Sequence, residues 1–349
     1  MDTKRKWYEK IPLFAYPSLY YTPETRWAIG LNALSSFKLH RQDSCRKSLI
    51  VAFFNYTQNQ QFILQQTTQV FTHKEKFNLR LSTHLSHFPE YYYGIGDSTN
   101  ASHRELVDYH ILRIEARFLY QVTRFWFTGM QYRFVKQYQM HLKPNGLMES
   151  SQIAGYNGST IAGLGLMLVH DSRDNIANAK RGMYVESIFL PTFPWLGSQY
   201  NYQNCRLDFR KFHNFTLTKA NYSWVLAWQI YANWVFGKAP YKQLSELGGE
   251  SLMRGYYRGR YRDKHLLAGQ VEMRLPLVYD SQRIDWVGFA TFVGVGNVWQ
   301  RQIILPNFKT TYGVGLRIKF SPKDNLNFRI DYALSHEGGL FYIELGEAF

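Results

Sequence analysis

Three groups of residues have types that could do chemistry. The first is the stretch "LGGESLMRGYYRGRY" (Leu247–Tyr261), where Arg254, Arg258 and Arg260 stand among glycines and tyrosines with neither helical nor strand period. Guanidinium groups are planar, multidentate donors suited to carboxylates and phosphates. The segment reads as an exposed anion binder, a linker without fixed structure or an arm folded back into a cavity. The second is His170, Asp171 and Ser172, the residue types of a hydrolase triad. Adjacency in sequence does not supply triad geometry. The stretch "HDSRDN" (170–175) reads better as a polar turn in which Asp171 and Asp174 hold backbone N–H groups and Arg173 pairs locally. The third is histidine. His84 and His87 fall on opposite faces of one extended segment and cannot share a metal, and His103 and His110 have no ligand spacing. No metal or cofactor is expected. Cys45 and Cys205, in neither a CxxC nor a metal-ligand spacing, read as unpaired thiols.

The elements that must position these residues are strands. Aromatic residues make up 17% of the 349-residue chain, yet its mean hydropathy is −0.36. A disordered chain would lack the aromatics, and a helical membrane protein would be far more apolar. The longest run free of charge, Ser150–Val169, carries too many polar residues and glycines for a spanning helix. The formal charge of +15 suits nucleic acid, anionic lipid or an anion-lined cavity. Because the cations are scattered at alternate positions within apolar stretches, no nucleic-acid partner is expected. The opening "MDTKRKWYEK" has no apolar core of a signal peptide.

Alternation is the dominant pattern. In "NYSWVLAWQIYANWVF" (Asn221–Phe236), Tyr222, Trp224, Leu226, Trp228, Ile230, Ala232, Trp234 and Phe236 share one face. The segments beginning at Phe77, Leu112, Tyr312 and Leu326 repeat the pattern, with arginines on the second face. In a soluble sandwich such arginines would be solvated, but sandwich strands average about five or six residues. A spanning strand needs about 9–11 residues with aromatic girdles at both interfaces. Sixteen strands are predicted, near 13–21, 26–38, 48–58, 61–72, 77–88, 106–120, 124–138, 159–169, 182–190, 200–213, 220–236, 265–277, 283–298, 309–320, 325–334 and 340–349. The expectation is an all-β, 16-stranded antiparallel transmembrane β-barrel over 13–349, preceded by a periplasmic tail at 1–12.

Specific stretches then carry a family resemblance: "MRGYYRG" (253–259), "GQVEMRLPL" (269–277), "HDSRDN" with "RGMYVE" after it, the hairpin "LYYTPETRWAIG" (19–30) and the final Phe349. In this order along sixteen strands they resemble the outer-membrane assembly factor superfamily, or bacterial surface antigens, which includes the barrel-assembly insertase and the two-partner secretion transporters. The resemblance implies that a long loop (about 237–264) folds into the lumen and that the motif Arg254–Gly255–Tyr256 meets acidic lumen residues. The family's usual aspartate is missing: "FVGVGNVW" has Gly294 there. Strand parity makes Glu272 the leading partner of Arg254, with Glu115, Asp208 and Asp331 as alternatives. The resemblance makes Asp171, Arg173 and Asp174 a periplasmic turn motif. Phe341, Ile343, Leu345 and Phe349 would form a C-terminal sorting signal on one strand face.

The function implied is assistance to protein insertion or translocation at the bacterial outer membrane, through a labile first–last strand seam where Pro17 cannot donate to a ladder. Expected partners are outer-membrane lipid and lipopolysaccharide, client outer-membrane proteins, and periplasmic or membrane accessory subunits, since family members carry polypeptide-transport-associated (POTRA) domains for which this chain has no room. The alternatives are a passive channel preferring anions, with a lumen lined by Arg80, Arg113, Arg117, Arg133, Arg206, Arg210, Arg317 and Arg329, or a membrane anchor for a partner protein. An enzyme is not expected.

Overall fold

The computed structural model describes residues 13–23, 25–39, 46–176, 178–217, 222–276, 286–301, 307–321 and 325–349. The proposed tail at 1–12 and Cys45 lie outside them. Nineteen strands are formed among the described residues: β1 (Leu13–Thr22), β2 (Arg26–Phe37), β3 (Ser48–Thr57), β4 (Phe62–Phe71), β5 (Phe77–His87), β6 (Glu90–Tyr92), β7 (Glu105–Gln121), β8 (Trp126–His141), β9 (Ser159–Asp171), β10 (Gly182–Pro191), β11 (Tyr202–Leu217), β12 (Tyr222–Gly237), β13 (Ser245–Leu247), β14 (Tyr261–Asp263), β15 (His265–Pro276), β16 (Val287–Trp299), β17 (Lys309–Ser321), β18 (Leu326–Ser335) and β19 (Gly338–Leu345). Setting aside the three-residue strands β6, β13 and β14, sixteen strands remain. Each pairs antiparallel with its sequence neighbour among the sixteen, and β1 also pairs with β19, so the sheet closes. The sixteen-strand expectation therefore holds.

Closure leaves each strand one outer and one inner face, and the sequence assigns them. Trp27, Ile29 and Leu31 of β2, Leu79 and Leu81 of β5, Val293 and Val295 of β16 and Tyr312 and Val314 of β17 are exposed on the outside. The opposite parity holds buried polar groups, among them Asp208, Gln229, Gln270, Glu272, Arg317 and Asp331. With no unpaired edge beyond the seam, the backbone donors are satisfied within the sheet, as hydrocarbon requires. In β4 the alternation fails at Gln66, but its amide donates to Thr68 Oγ1 on the same face, so the pair satisfies itself. Among the described residues, no helix is long and apolar enough to cross a membrane. The charge-free run 150–169 instead supplies the end of a short helix (Leu147–Ser151) and most of β9.

The two ends of the cylinder differ. One carries short connections such as 72–76 and 122–125, and the other carries the long ones, 88–104, 142–158 and 238–264. Short turns on the periplasmic side and longer loops outside are the usual arrangement of outer-membrane barrels.

Candidate functional site

The segment between β12 and β15 is tied down at both ends before it reaches its tip. β13 and β14 pair as a small hairpin, and Ser245 Oγ donates to the Lys264 carbonyl at 3.0 Å. Beside the hairpin, Arg262 Nη2 lies 2.9 Å from Glu246 Oε1, and Lys242 Nζ lies 2.7 Å from Glu90 on β6. The tip then lies on inward side chains of β15–β19.

Arg254 is completely buried there. Its Nη2 donates to Glu272 Oε2 on β15 at 2.6 Å, and its Nη1 donates to Asp331 Oδ2 on β18 at 2.7 Å. Its guanidinium carbon sits 3.5 Å from the ring centroid of Phe292 on β16. Further arginines share the two carboxylates. Arg274 Nε donates to Glu272 at 2.7 Å, Arg317 Nη1 to Asp331 at 2.6 Å and Arg329 Nη1 to Asp331 at 3.0 Å. A third carboxylate, Glu347, accepts from Arg317 Nε at 2.8 Å and from Asn327 Nδ2 at 2.7 Å. Desolvating so many charges is tolerable only because each carboxylate meets more than one donor.

The motif's other two residues fix the tip. Gly255 N–H donates to the Tyr342 hydroxyl at 3.1 Å, and its carbonyl accepts from Ser335 Oγ at 2.9 Å. Gly255 adopts φ +107°, which strains any other residue, and a Cβ there would press within 3.1 Å of the Leu334 carbonyl oxygen. Tyr256 is buried, with its hydroxyl 2.6 Å from His336 Nδ1. Gly294 has a local reason as well: a Cβ there would sit 3.2 Å from Met253 Sδ and 2.9 Å from Thr311 Oγ1. Met253 occupies the volume a larger side chain would need.

Of the four acidic candidates, the structure brings two to Arg254, Glu272 and Asp331. Glu115 lies 3.0 Å from Arg133 Nε, and Asp208 pairs with Arg210. Sequence reasoning missed Glu347, Phe292 and Arg274. Parity placed Arg317 and Arg329 inside without indicating which carboxylates they would meet.

At the short-turn end, Arg173 Nε donates to Asp171 Oδ1 at 2.9 Å, and Asp174 Oδ1 accepts from the N–H groups of Lys180 and Arg181 at 2.9 and 3.2 Å. Arg46, which no sequence signal singled out, links Asp171 to Glu75 at 2.9 Å each. His170 Nε2 does lie 3.2 Å from Ser172 Oγ, but its Nδ1 has no hydrogen-bond partner among the described residues, while Asp171 is engaged by Arg46 and Arg173. A triad needs the acid on that nitrogen. Among the described residues no cluster of three or more His, Cys, Asp or Glu side chains could hold a metal ion.

The seam is thin. β1 and β2 pair from Leu13↔Ser35 to Thr22↔Arg26, and β18 and β19 pair from Phe328↔Leu345 to Ser335↔Gly338, whereas β1 and β19 share the single register position Tyr21↔Ile343. The last residues account for part of this. Continued straight, that register would set Glu347 opposite Pro17 on the outer face, a charge in hydrocarbon beside a residue with no N–H. Instead Gly346, at φ +95°, turns the chain, and Glu347 goes inward to Arg317. The expectation that Phe349 shares a face with Phe341, Ile343 and Leu345 fails here. Phe341 and Leu345 are exposed outside, but Phe349 is buried beside Phe212 and Arg274.

A closed sheet with an apolar exterior and an ionic interior defines a transmembrane β-barrel. The Omp85 superfamily domain matches residues 50–349, and the chain belongs to that superfamily. Its fold is similar to BamA from Haemophilus ducreyi lacking POTRA domains 1–3, with a TM-score of 0.60 at 12% identity over 95% of this chain and 70% of that one. It is also similar to CdiB from Acinetobacter baumannii (0.61, 10%, covering 96% and 59%) and CdiB from Escherichia coli (0.62, 11%, covering 98% and 63%). No curated protein matches the chain by sequence. Barrels of this family are outer-membrane insertases and transporters rather than enzymes.

Proposed function

We propose that this protein is a bacterial outer-membrane barrel that assists insertion or translocation of other proteins by opening laterally between β1 and β19. The observation that carries this reading is the single register position joining those strands, against ten joining β1 to β2. A strand edge with unpaired N–H and C=O groups is a template for an incoming strand. Pro17 and the inward turn at Gly346 both act to keep the β1–β19 pairing short. The Arg254 cluster has the complementary role of a strut. It ties the long loop to β15, β16 and β18, so the wall beside the seam stays rigid while the seam itself parts. In this reading Phe341, Ile343 and Leu345 form the sorting strand and 170–175 the periplasmic turn. Client barrels, lipopolysaccharide and accessory subunits are its partners, and it is not an enzyme.

The channel reading has less support. Of the eight arginines expected along the lumen, Arg117, Arg133, Arg206, Arg210, Arg317 and Arg329 are engaged by carboxylates. Only Arg80 and Arg113 have no ion pair among the described residues. The test is reconstitution. Vesicles containing the purified chain should fold a small client barrel faster than empty vesicles. Large steady anion conductance without faster folding would favour the channel instead.

A further inference from the structure

On the outer wall, side chains of neighbouring strands line up in rows across the sheet. One row runs Thr68–Leu81–Ala116–Tyr132–Leu164 across β4, β5, β7, β8 and β9, and the next runs Val70–Leu79–Phe118–Met130–Leu166. Ala116 is the one small apolar side chain among them. Ala116 lies in a groove of about 480 Å³, walled by Leu79, Leu81, Phe118, Met130, Tyr132 and Leu164. Its walls face the same way as the exposed apolar side chains of the barrel, so hydrocarbon fills it.

The groove also has a position and a charged rim. Leu79 and Leu81 follow Lys76 by three and five residues, which places the groove about 10–17 Å along the strand from the short-turn end. Lys76 and Arg124 are exposed on adjacent turns, joined where Gln121 N–H donates to the Lys76 carbonyl at 2.9 Å. Val122 and Trp126 flank Arg124 and are exposed as well. An apolar groove within about 10–17 Å of two cations at the short-turn end has the chemistry of an anionic phospholipid site.

We propose that this face binds one anionic glycerophospholipid of the periplasmic leaflet. One acyl chain lies in the groove over Ala116 and the phosphate lies between Lys76 and Arg124. This rests on the outer-membrane reading above for the leaflet, but its test reads lipid retention rather than insertion. Detergent-purified chain is titrated with dioleoyl-phosphatidylglycerol and with dioleoyl-phosphatidylcholine, and retained lipid is counted by native mass spectrometry. The wild type should retain one phosphatidylglycerol in preference to phosphatidylcholine. A116W should lose the bound lipid of either kind. K76Q/R124Q, altered only on exposed turns, should still retain a lipid while the preference falls roughly fivefold for each cation removed. Equal retention of both lipids by the wild type, or an unchanged preference in K76Q/R124Q, would overturn the proposal. A barrel that prefers phosphatidylglycerol yet fails to accelerate client folding would uphold the lipid site and count against the insertion reading alone.

Discussion

Replacing Arg254 by alanine removes the cation that joins the long loop to the barrel wall. It leaves Glu272 and Asp331 fully buried, where losing one partner of a buried pair typically costs about 3–5 kcal/mol. Here the remaining arginines moderate the loss: Asp331 keeps Arg317 and Arg329, and Glu272 keeps Arg274. No carboxylate is orphaned, so the lower end, about 3 kcal/mol, is expected. The lost contact with Phe292 adds about 1 kcal/mol. Arg254→Lys keeps the charge, but one ammonium cannot donate in the same fork to two carboxylates, so it should fall between alanine and wild type. The assay is the temperature at which the folded band disappears on semi-native gels, supported by the urea midpoint. A double cycle with Asp331→Asn should show coupling of at least about 1 kcal/mol. An Arg254→Ala barrel as heat-resistant as wild type would refute the strut.

Two further outcomes follow from the same cluster. Gly294→Asp should lower the urea midpoint by the equivalent of about 1–3 kcal/mol, because the new side chain must displace Met253 beside Arg254; an unchanged or higher midpoint would show that the loop tip adapts freely. Glu347→Gln weakens the bonds from Arg317 and Arg274 that hold the turned-in end. Hydrogen exchange at Ala348 and Phe349 should rise at least tenfold with the rest of the barrel unchanged, and unaltered exchange there would mean that Phe349 packing alone holds the tail.

The sheet was legible because period two marks each strand and each face independently of its neighbours. The spans predicted for β5, β9 and β17 begin at the residues where those strands begin. Larger discrepancies arise where a single backbone angle decides. β19 stops at Leu345 because Gly346 turns left-handed, and nothing in "IELGEAF" distinguishes that glycine from an ordinary strand residue. The Arg254–Gly255–Tyr256 motif was visible and Glu272 led its expected partners, but nothing set Asp331 above Glu115 and Asp208. Glu115, Asp208, Glu272 and Asp331 share the inward parity, and only barrel curvature and the path of the loop separate them. Arg46 acts through Glu75 and Asp171, 29 and 125 residues away, and Ala116 through side chains of neighbouring strands, so no local pattern marks either one.

The central claim is lateral opening at the seam, and a disulfide across it is the direct test. Tyr21 and Ile343 are register partners, so cysteines placed there in a background without Cys45 and Cys205 have the backbone separation a disulfide needs. The oxidised barrel, reconstituted in vesicles, should keep its heat-resistant fold while its acceleration of client folding falls to the rate of empty vesicles, and reductant should restore it. Full acceleration by the oxidised form would contradict the account.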